Sequence, residues 1–121
     1  MALYTRAFGA QVDVLLRYSD ANPADFSMPL TDAQKKLVYH ATMRINGRLV
    51  MMSDEMSGEK PTQAPLSLVV TLDTRDEVAA AYTVLSEGGQ IVHSMIDTTY
   101  STAFVSLIDR FGFRWEIMTE R

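Results

Sequence analysis

Ala80-Ala81-Tyr82-Thr83, running through Ser86-Glu87 into Gly88-Gly89-Gln90-Ile91, repeats a stretch met at the start of the chain. There Ala2-Leu3-Tyr4-Thr5 runs through Phe8 into Gly9-Ala10-Gln11-Val12. Each copy reads as the end of a helix, a glycine stop and the first residues of a strand. An apolar strand, Leu66–Leu72, precedes the second copy, whereas the first copy opens inside its helix. The pattern is that of a duplicated unit whose first copy lacks one element in this sequence.

Working outward, Gln11–Tyr18 carries the period-2 set Val12, Val14 and Leu16, a strand signal. Ser19–Lys36 holds two prolines and no sustained period, and reads as a long loop with a helical turn at Thr31–Lys36. Val38–Ile45 alternates, with Tyr39, Ala41, Met43 and Ile45 on one face and His40, Thr42 and Arg44 on the other. Asn46-Gly47 is a two-residue hairpin signal, and Arg48–Ser53 is the return strand. The polar stretch Ser57–Pro65 reads as a linker. After Leu66–Leu72, Thr74-Arg75-Asp76-Glu77 has capping-box spacing. Val78, Ala81, Tyr82 and Leu85 then mark the buried stripe of a helix that stops at Gly88-Gly89. Gln90–Met95, roughly Thr99–Ile108, and Phe113–Met118 read as three further strands. The second half is therefore β-α-β-β-β and the first α-β-β-β.

At 121 residues and 47% hydrophobic content, the chain is sized for a single domain. It contains no cysteine, which excludes disulfides, thiolate metal sites and cysteine nucleophiles. A net charge of −4 gives no electrostatic footprint for nucleic acid. The first residues lack the charged tip and apolar run of a signal peptide, and no apolar run could span a bilayer. A cytoplasmic protein with no nucleic-acid or membrane partner is the expectation.

The paired modules, together with Ala7-Phe8-Gly9-Ala10, His40-Ala41-Thr42-Met43-Arg44-Ile45-Asn46-Gly47, Met52-Ser53-Asp54-Glu55, Asp97-Thr98-Thr99-Tyr100 and Asp109-Arg110-Phe111-Gly112-Phe113-Arg114-Trp115, resemble the vicinal-oxygen-chelate superfamily. That superfamily holds glyoxalase I, bleomycin- and fosfomycin-resistance proteins and extradiol dioxygenases. Within it the chain is most similar to the PhnB-like branch. The resemblance implies an α+β fold of two β-α-β-β-β modules, the first without its first strand. They would form a curved, cup-shaped mixed sheet with helices on the outer face. It implies one glyoxalase-like domain over residues 1–121, with half-modules of about 1–56 and 66–121. It also implies a homodimer, possible exchange of modules between subunits, and cover for the sheet edge that the missing strand would have paired.

Alternation assigns Leu66, Leu68, Val70 and Leu72 to the helix-covered face, with Phe113, Trp115 and Ile117. It assigns Ser67, Val69 and Thr71 to the cup, with Arg114, Glu116 and Met118 and with His40, Thr42 and Arg44. Two guanidiniums, a carboxylate, an imidazole and several hydroxyls suit an anionic or oxygen-rich small molecule. The candidate ligand-binding residues are His40, Thr42, Arg44, Ser67, Thr71 and Arg114, and the candidate catalytic residue is Glu116. Metal-dependent relatives take ligands from four strands. By resemblance these positions fall at Glu116, at Ser67, near Met51 and on the missing strand, so no metal and no other cofactor is expected.

The expected function is metal-independent small-molecule binding. A lyase or isomerase using Glu116 as general base is one alternative, and a drug-sequestering resistance protein is another. The plainer readings are a structural His40, a Glu116 paired with Arg114 or Arg44 across the sheet, and gap-filling methionines.

Overall fold

The computed structural model describes residues 1–57 and 66–121; the greater part of the Ser57–Pro65 linker lies outside the described residues. The fold is α+β, with two open sheets and few helices. The elements are α1 (Ala2–Phe8), β1 (Gln11–Arg17), α2 (Asp32–Lys35), β2 (Val38–Ile45), β3 (Arg48–Met52), β4 (Leu68–Thr71), α3 (Arg75–Leu85), β5 (Gln90–Ile96), β6 (Phe104–Ile108) and β7 (Arg114–Met118). Two compact units emerge. One contains β1, α2, β2 and β3; the other contains β4, α3 and β5 to β7, and also α1. The units follow the two halves of the repeat, except that the first helix packs with the second half.

The first unit is a three-stranded antiparallel sheet of order β1-β2-β3. Asn46 (φ 49°) and Gly47 (φ 75°) both take the left-handed conformation that a two-residue hairpin between β2 and β3 requires. Along β2, Ala41, Met43 and Ile45 are buried as alternation predicts, and Thr42 of the other face is buried as well. β1 is exposed along all seven residues, including Val12, Val14, Leu15 and Leu16. Between β1 and β2 lies the loop read from sequence, here two short 3₁₀ turns, Tyr18–Asp20 and Pro23–Asp25, and the α2 turn capped by Thr31. Tyr18, Phe26 and Tyr39 pack ring against ring beneath it.

The second unit is a four-stranded sheet of order β4-β7-β6-β5, with β4 parallel to β7 and the rest antiparallel. α3 starts where the capping box predicts: Glu77 N donates to Thr74 Oγ1 at 3.2 Å, and Thr74 N donates to Glu77 Oε2 at 3.0 Å. Its Val78, Ala81 and Leu85 are wholly buried, as are Val105, Leu107 and Ile117 of the sheet. The glycine stop after α3 has a second role, because a Cβ at Gly89 would lie 2.3 Å from the Ile108 carbonyl oxygen. Only glycine lets the helix end approach β6 so closely.

Three boundaries differ from the sequence reading. β4 begins at Leu68, and Leu66 and Leu68 are 77% and 45% exposed rather than covered. β4 is an edge strand held by β7 alone, and its ladder runs only from Leu68–Trp115 to Thr71–Met118. Phe113 is 47% exposed rather than beneath the helices, because it lies in the β6–β7 turn, where Asp109 accepts its backbone N–H. The strand expected from Thr99 begins at Phe104; the residues before it form a turn closed by Thr98 N donating to Ser101 O.

Candidate functional site

The second sheet is held in place by one buried carboxylate. Asp109 follows β6, and its Oδ1 accepts the backbone N–H groups of Phe111 (2.9 Å) and Phe113 (3.0 Å), which shapes the turn into β7. Its Oδ2 accepts Trp115 Nε1 (2.9 Å) and the Tyr4 hydroxyl (2.6 Å), which ties α1 to β7. Burial, together with the adjacent carboxylate, pushes the Tyr4 phenol far above its ordinary range. Arg6 adds a surface bond from α1 to the end of α3, a two-pronged contact with Glu87 that holds that carboxyl below its usual range. Every polar group on this side of β7 therefore has its partner.

The other face of the same strands differs. Register places His93 of β5 opposite Ser106 of β6, and Ser106 opposite Glu116 of β7, which lies beside Val69 of β4. Directly paired residues share a face, so these side chains form one cross-strand row. Ser106 is 1% exposed, and among the described residues its hydroxyl has no hydrogen-bond partner. Glu116 is half-buried and His93 exposed, and among the described residues neither makes an ion pair or side-chain hydrogen bond. β5 gains an extra residue on each side of His93, so two bulges bracket it. One step along lies the largely apolar row Ile96, Phe104, Met118 and Thr71; one step the other way are Ile108 and Arg114.

The sequence-derived candidates divide between the two units. Glu116, Arg114 and Thr71 share the open face of the second sheet, and Ser67 lies just before β4, outside the strand. His40, Thr42 and Arg44 share a face of β2 in the first unit, where Thr42 is buried and its row runs Val14–Thr42–Met51. Arg44 is engaged locally: its Nε lies 2.9 Å from Oδ2 of Asp13, the extra residue of a bulge in β1. Pairing of Glu116 with Arg114 or Arg44 is not seen among the described residues. Neither Ser106 nor His93 is among the sequence-derived candidates; the register sets the two opposite each other. An open cleft of about 430 Å³ in the first unit is lined by Tyr18, Phe26, Met28, Leu30 and Lys35, among others, and carries no converging set of reactive groups.

The model of the Glyoxalase/Bleomycin resistance protein/Dioxygenase superfamily matches residues 1–117. The chain belongs to that superfamily. It is 27% identical over 115 residues to protein YjdN of Escherichia coli (strain K12), covering 95% of this chain and 75% of that protein. Among solved structures it is similar to a PhnB protein from Bacillus cereus, with TM-score 0.76 and 27% identity, covering 98% of this chain and 87% of the other. It shares its fold with protein PA1353 from Pseudomonas aeruginosa, at TM-score 0.77 and 22% identity, with 98% and 85% covered.

Metal-binding members of the superfamily need several hard ligands around one point. Here the neighbours of Glu116 on its own sheet are Ser106 and Val69. Among the described residues no three His, Asp or Glu side chains gather into a cation site. A valine side chain is no ligand and a lone hydroxyl a weak one for a hard divalent ion, so Glu116 has no second hard ligand beside it on its own sheet.

Proposed function

We propose that this superfamily member binds an oxygen-rich small molecule without a metal, on the open face of the second sheet, with Glu116 as its central polar group. One observation carries the reading. Glu116 is a half-buried carboxylate without a protein partner among the described residues, on a strand whose opposite face is fully bonded. Carboxylates partly removed from water are normally paired, and an unpaired one suits a ligand contact. Thr71 and Arg114 share that face and Ser67 lies just before β4; His40, Thr42 and Arg44 remain candidates within the first unit. The reading takes the protein to be cytoplasmic; among the described residues no helix is long and apolar enough to cross a membrane.

The protein acts as a homodimer in this reading. β1 is an edge strand with Val12, Val14, Leu15 and Leu16 each more than 40% exposed, and β3 has no strand paired on its outer side among the described residues. Unpaired apolar edges favour cover by another chain. Sedimentation velocity at micromolar concentration is expected to give twice the chain mass, and a monomer refutes that half of the reading.

The ligand half is tested by a thermal-shift screen of small molecules on the wild type and on Glu116→Gln, with and without Mg²⁺, Mn²⁺, Ni²⁺ and Zn²⁺. Hits that raise the melting temperature only in the wild type and without metal support it. Stabilisation that requires a metal overturns the metal-free reading. Chemical conversion of a hit, lost in Glu116→Gln, moves the protein to the lyase or isomerase reading, with Glu116 as base.

A further inference from the structure

We propose that the His93–Ser106–Glu116 row is the recognition edge of this site, that it takes a neutral, hydroxyl-bearing small molecule, and that Ser106 is its specificity-determining residue. The inference rests on the binding reading above and adds to it the ligand class and two residues.

The first ground is the Ser106 hydroxyl, which is buried and unpartnered at the centre of the row. A buried hydroxyl without a hydrogen bond weakens a fold, and alanine would fill the same strand position without that cost. Its complement is therefore expected from outside the chain. Glu116 and His93, which flank it, have no side-chain hydrogen bond among the described residues to break when a ligand moves them aside.

The second ground is an internal control supplied by the duplication. Aligning Gly9-Ala10-Gln11-Val12 with Gly88-Gly89-Gln90-Ile91 sets Asp13 against Val92 and Val14 against His93. Both copies have a bulge at that point, between Val12 and Val14 and between Ile91 and His93. The scaffold is thus the same, yet the first copy reads Val14–Thr42–Met51 where the second reads His93–Ser106–Glu116. A short hydroxyl side chain stands in the middle of both rows, and only the second copy has protic groups on both sides of it. Neither the bulge nor the strand pairing demands a histidine or a glutamate there, since valine and methionine serve in the sister module. Bulges beside ligand sites re-aim side chains, and here they bracket the histidine.

The third ground is donor and acceptor chemistry. An ionised Glu116 accepts only, Ser106 donates or accepts, and the His93 imidazole can do either. Hydroxyl groups match all three. An anionic group set on this row would face the Glu116 carboxylate, and Arg114, the cation of β7 on this face, stands a step away beside Ile108 rather than in the row. The adjoining Ile96, Phe104 and Met118 give the carbon skeleton an apolar strip.

Three five-carbon probes test the proposal on the intact protein by titration of backbone amide NMR signals: xylitol, 1-pentanol and pentanoate. Xylitol is expected to give saturable shifts centred on His93, Ser106 and Glu116, and pentanoate none there. Ser106→Ala and Glu116→Gln are each expected to weaken xylitol binding by about tenfold or more, the worth of one well-made hydrogen bond to a buried or charged group. Ser106→Ala is also expected to melt at the wild-type temperature or above it. Xylitol that leaves the row untouched, or binds Ser106→Ala as it binds the wild type, overturns the proposal. So does pentanoate seated on the row, or a lower melting temperature in Ser106→Ala, which would show that the hydroxyl already has a partner. If those failures occur while screen hits still depend on Glu116, only this inference falls. If Glu116→Gln leaves every hit unchanged, the binding reading falls with it.

Discussion

Asp109 offers the sharpest test of how the second unit is held together. Its carboxylate is 3% exposed and accepts four hydrogen bonds, from the Tyr4 hydroxyl, Trp115 Nε1 and the backbone amides of Phe111 and Phe113. Hydrogen bonds to a charged group contribute about 1.5–3 kcal/mol each, and stranding a buried donor costs about 1–3 kcal/mol. Asp109→Asn keeps the shape but has one acceptor oxygen for two pairs of donors. If its oxygen stays on the turn amides, its NH₂ faces Tyr4, which can rotate to accept, and the indole N–H, which cannot. At least one charged bond is lost and one buried donor stranded, for a total of about 3–5 kcal/mol. Tyr4→Phe removes a single donor and leaves the carboxylate its other three, so about 1.5–3 kcal/mol is expected. Trp115 is the only tryptophan, which makes its fluorescence a reporter of this unit during urea unfolding. The denaturation midpoint is expected to fall with little change in m-value, because the surface exposed on unfolding is nearly the same. A loss below about 1 kcal/mol in Asp109→Asn refutes the reasoning, since it would mean that the four contacts contribute no more than ordinary surface bonds.

Other perturbations follow from the same geometry. The Tyr4 phenol is raised above its ordinary value of 10.0 in the folded chain, so its contribution is complete below pH 10 and is lost as the pH climbs toward the folded value; alkaline urea unfolding should show this decline in the wild type and a reduced one in Tyr4→Phe. Gly89→Ala sets a Cβ 2.3 Å from the Ile108 oxygen and should cost about 1–3 kcal/mol, read as a lower melting temperature. Thr74→Ala removes the side-chain cap of α3 and should cost about 1 kcal/mol, with reduced hydrogen-exchange protection at the first turn. Isothermal titration with Ni²⁺ or Zn²⁺ should give no stoichiometric heat, and a one-to-one binding curve lost in Glu116→Gln would contradict the metal-free reading.

Local chemistry made much of this architecture legible. The Asn46-Gly47 hairpin, the Thr74/Glu77 box and the apolar stripe of α3 each depend on a few neighbouring residues, and each formed as read. Alternation also sorted β7 correctly, because its burial alternates along the strand, whereas on β2 Thr42 of the face read as polar is buried beside Ala41 and Met43. It failed at strand ends. Leu66 and Phe113 continue an apolar alternation beyond the ladder that would bury them, and sequence period carries no information about where pairing stops. Long-range choices were equally hidden. Nothing near Tyr4 announces that its hydroxyl will reach Asp109, 105 positions away, or that α1 will pack in the second unit. The candidate site was half legible for a related reason. Glu116 and Arg114 stand out as charges in an apolar strand, whereas Ser106 is unremarkable until bulges on β5 bring His93 opposite it.

β7 divides the chemistry of the second unit between its two sides. Trp115 and Ile117 are buried, and the indole N–H is bonded to Asp109; Arg114 and Glu116, on the alternate side, have no ion pair among the described residues. Had the charged side chains been retained for stability, they would be expected to pair, as Arg6 and Arg110 do with Glu87. Side chains without such contacts contribute little to the folded state, and substitutions at them usually fall within about ±0.5 kcal/mol. Trp115→Phe, by contrast, removes one of the two donors to Asp109 Oδ2 and shrinks a buried ring, at an expected cost of about 2–3 kcal/mol. Residues two apart in one strand should therefore separate cleanly: alteration at 115 lowers stability, and alteration at 114 or 116 leaves stability alone while changing what the open face can hold. The same division explains why the two modules could diverge on that face without loss of fold. The bonds that fix the second sheet lie on the side that faces the helices, and the His93–Ser106–Glu116 row lies on the other.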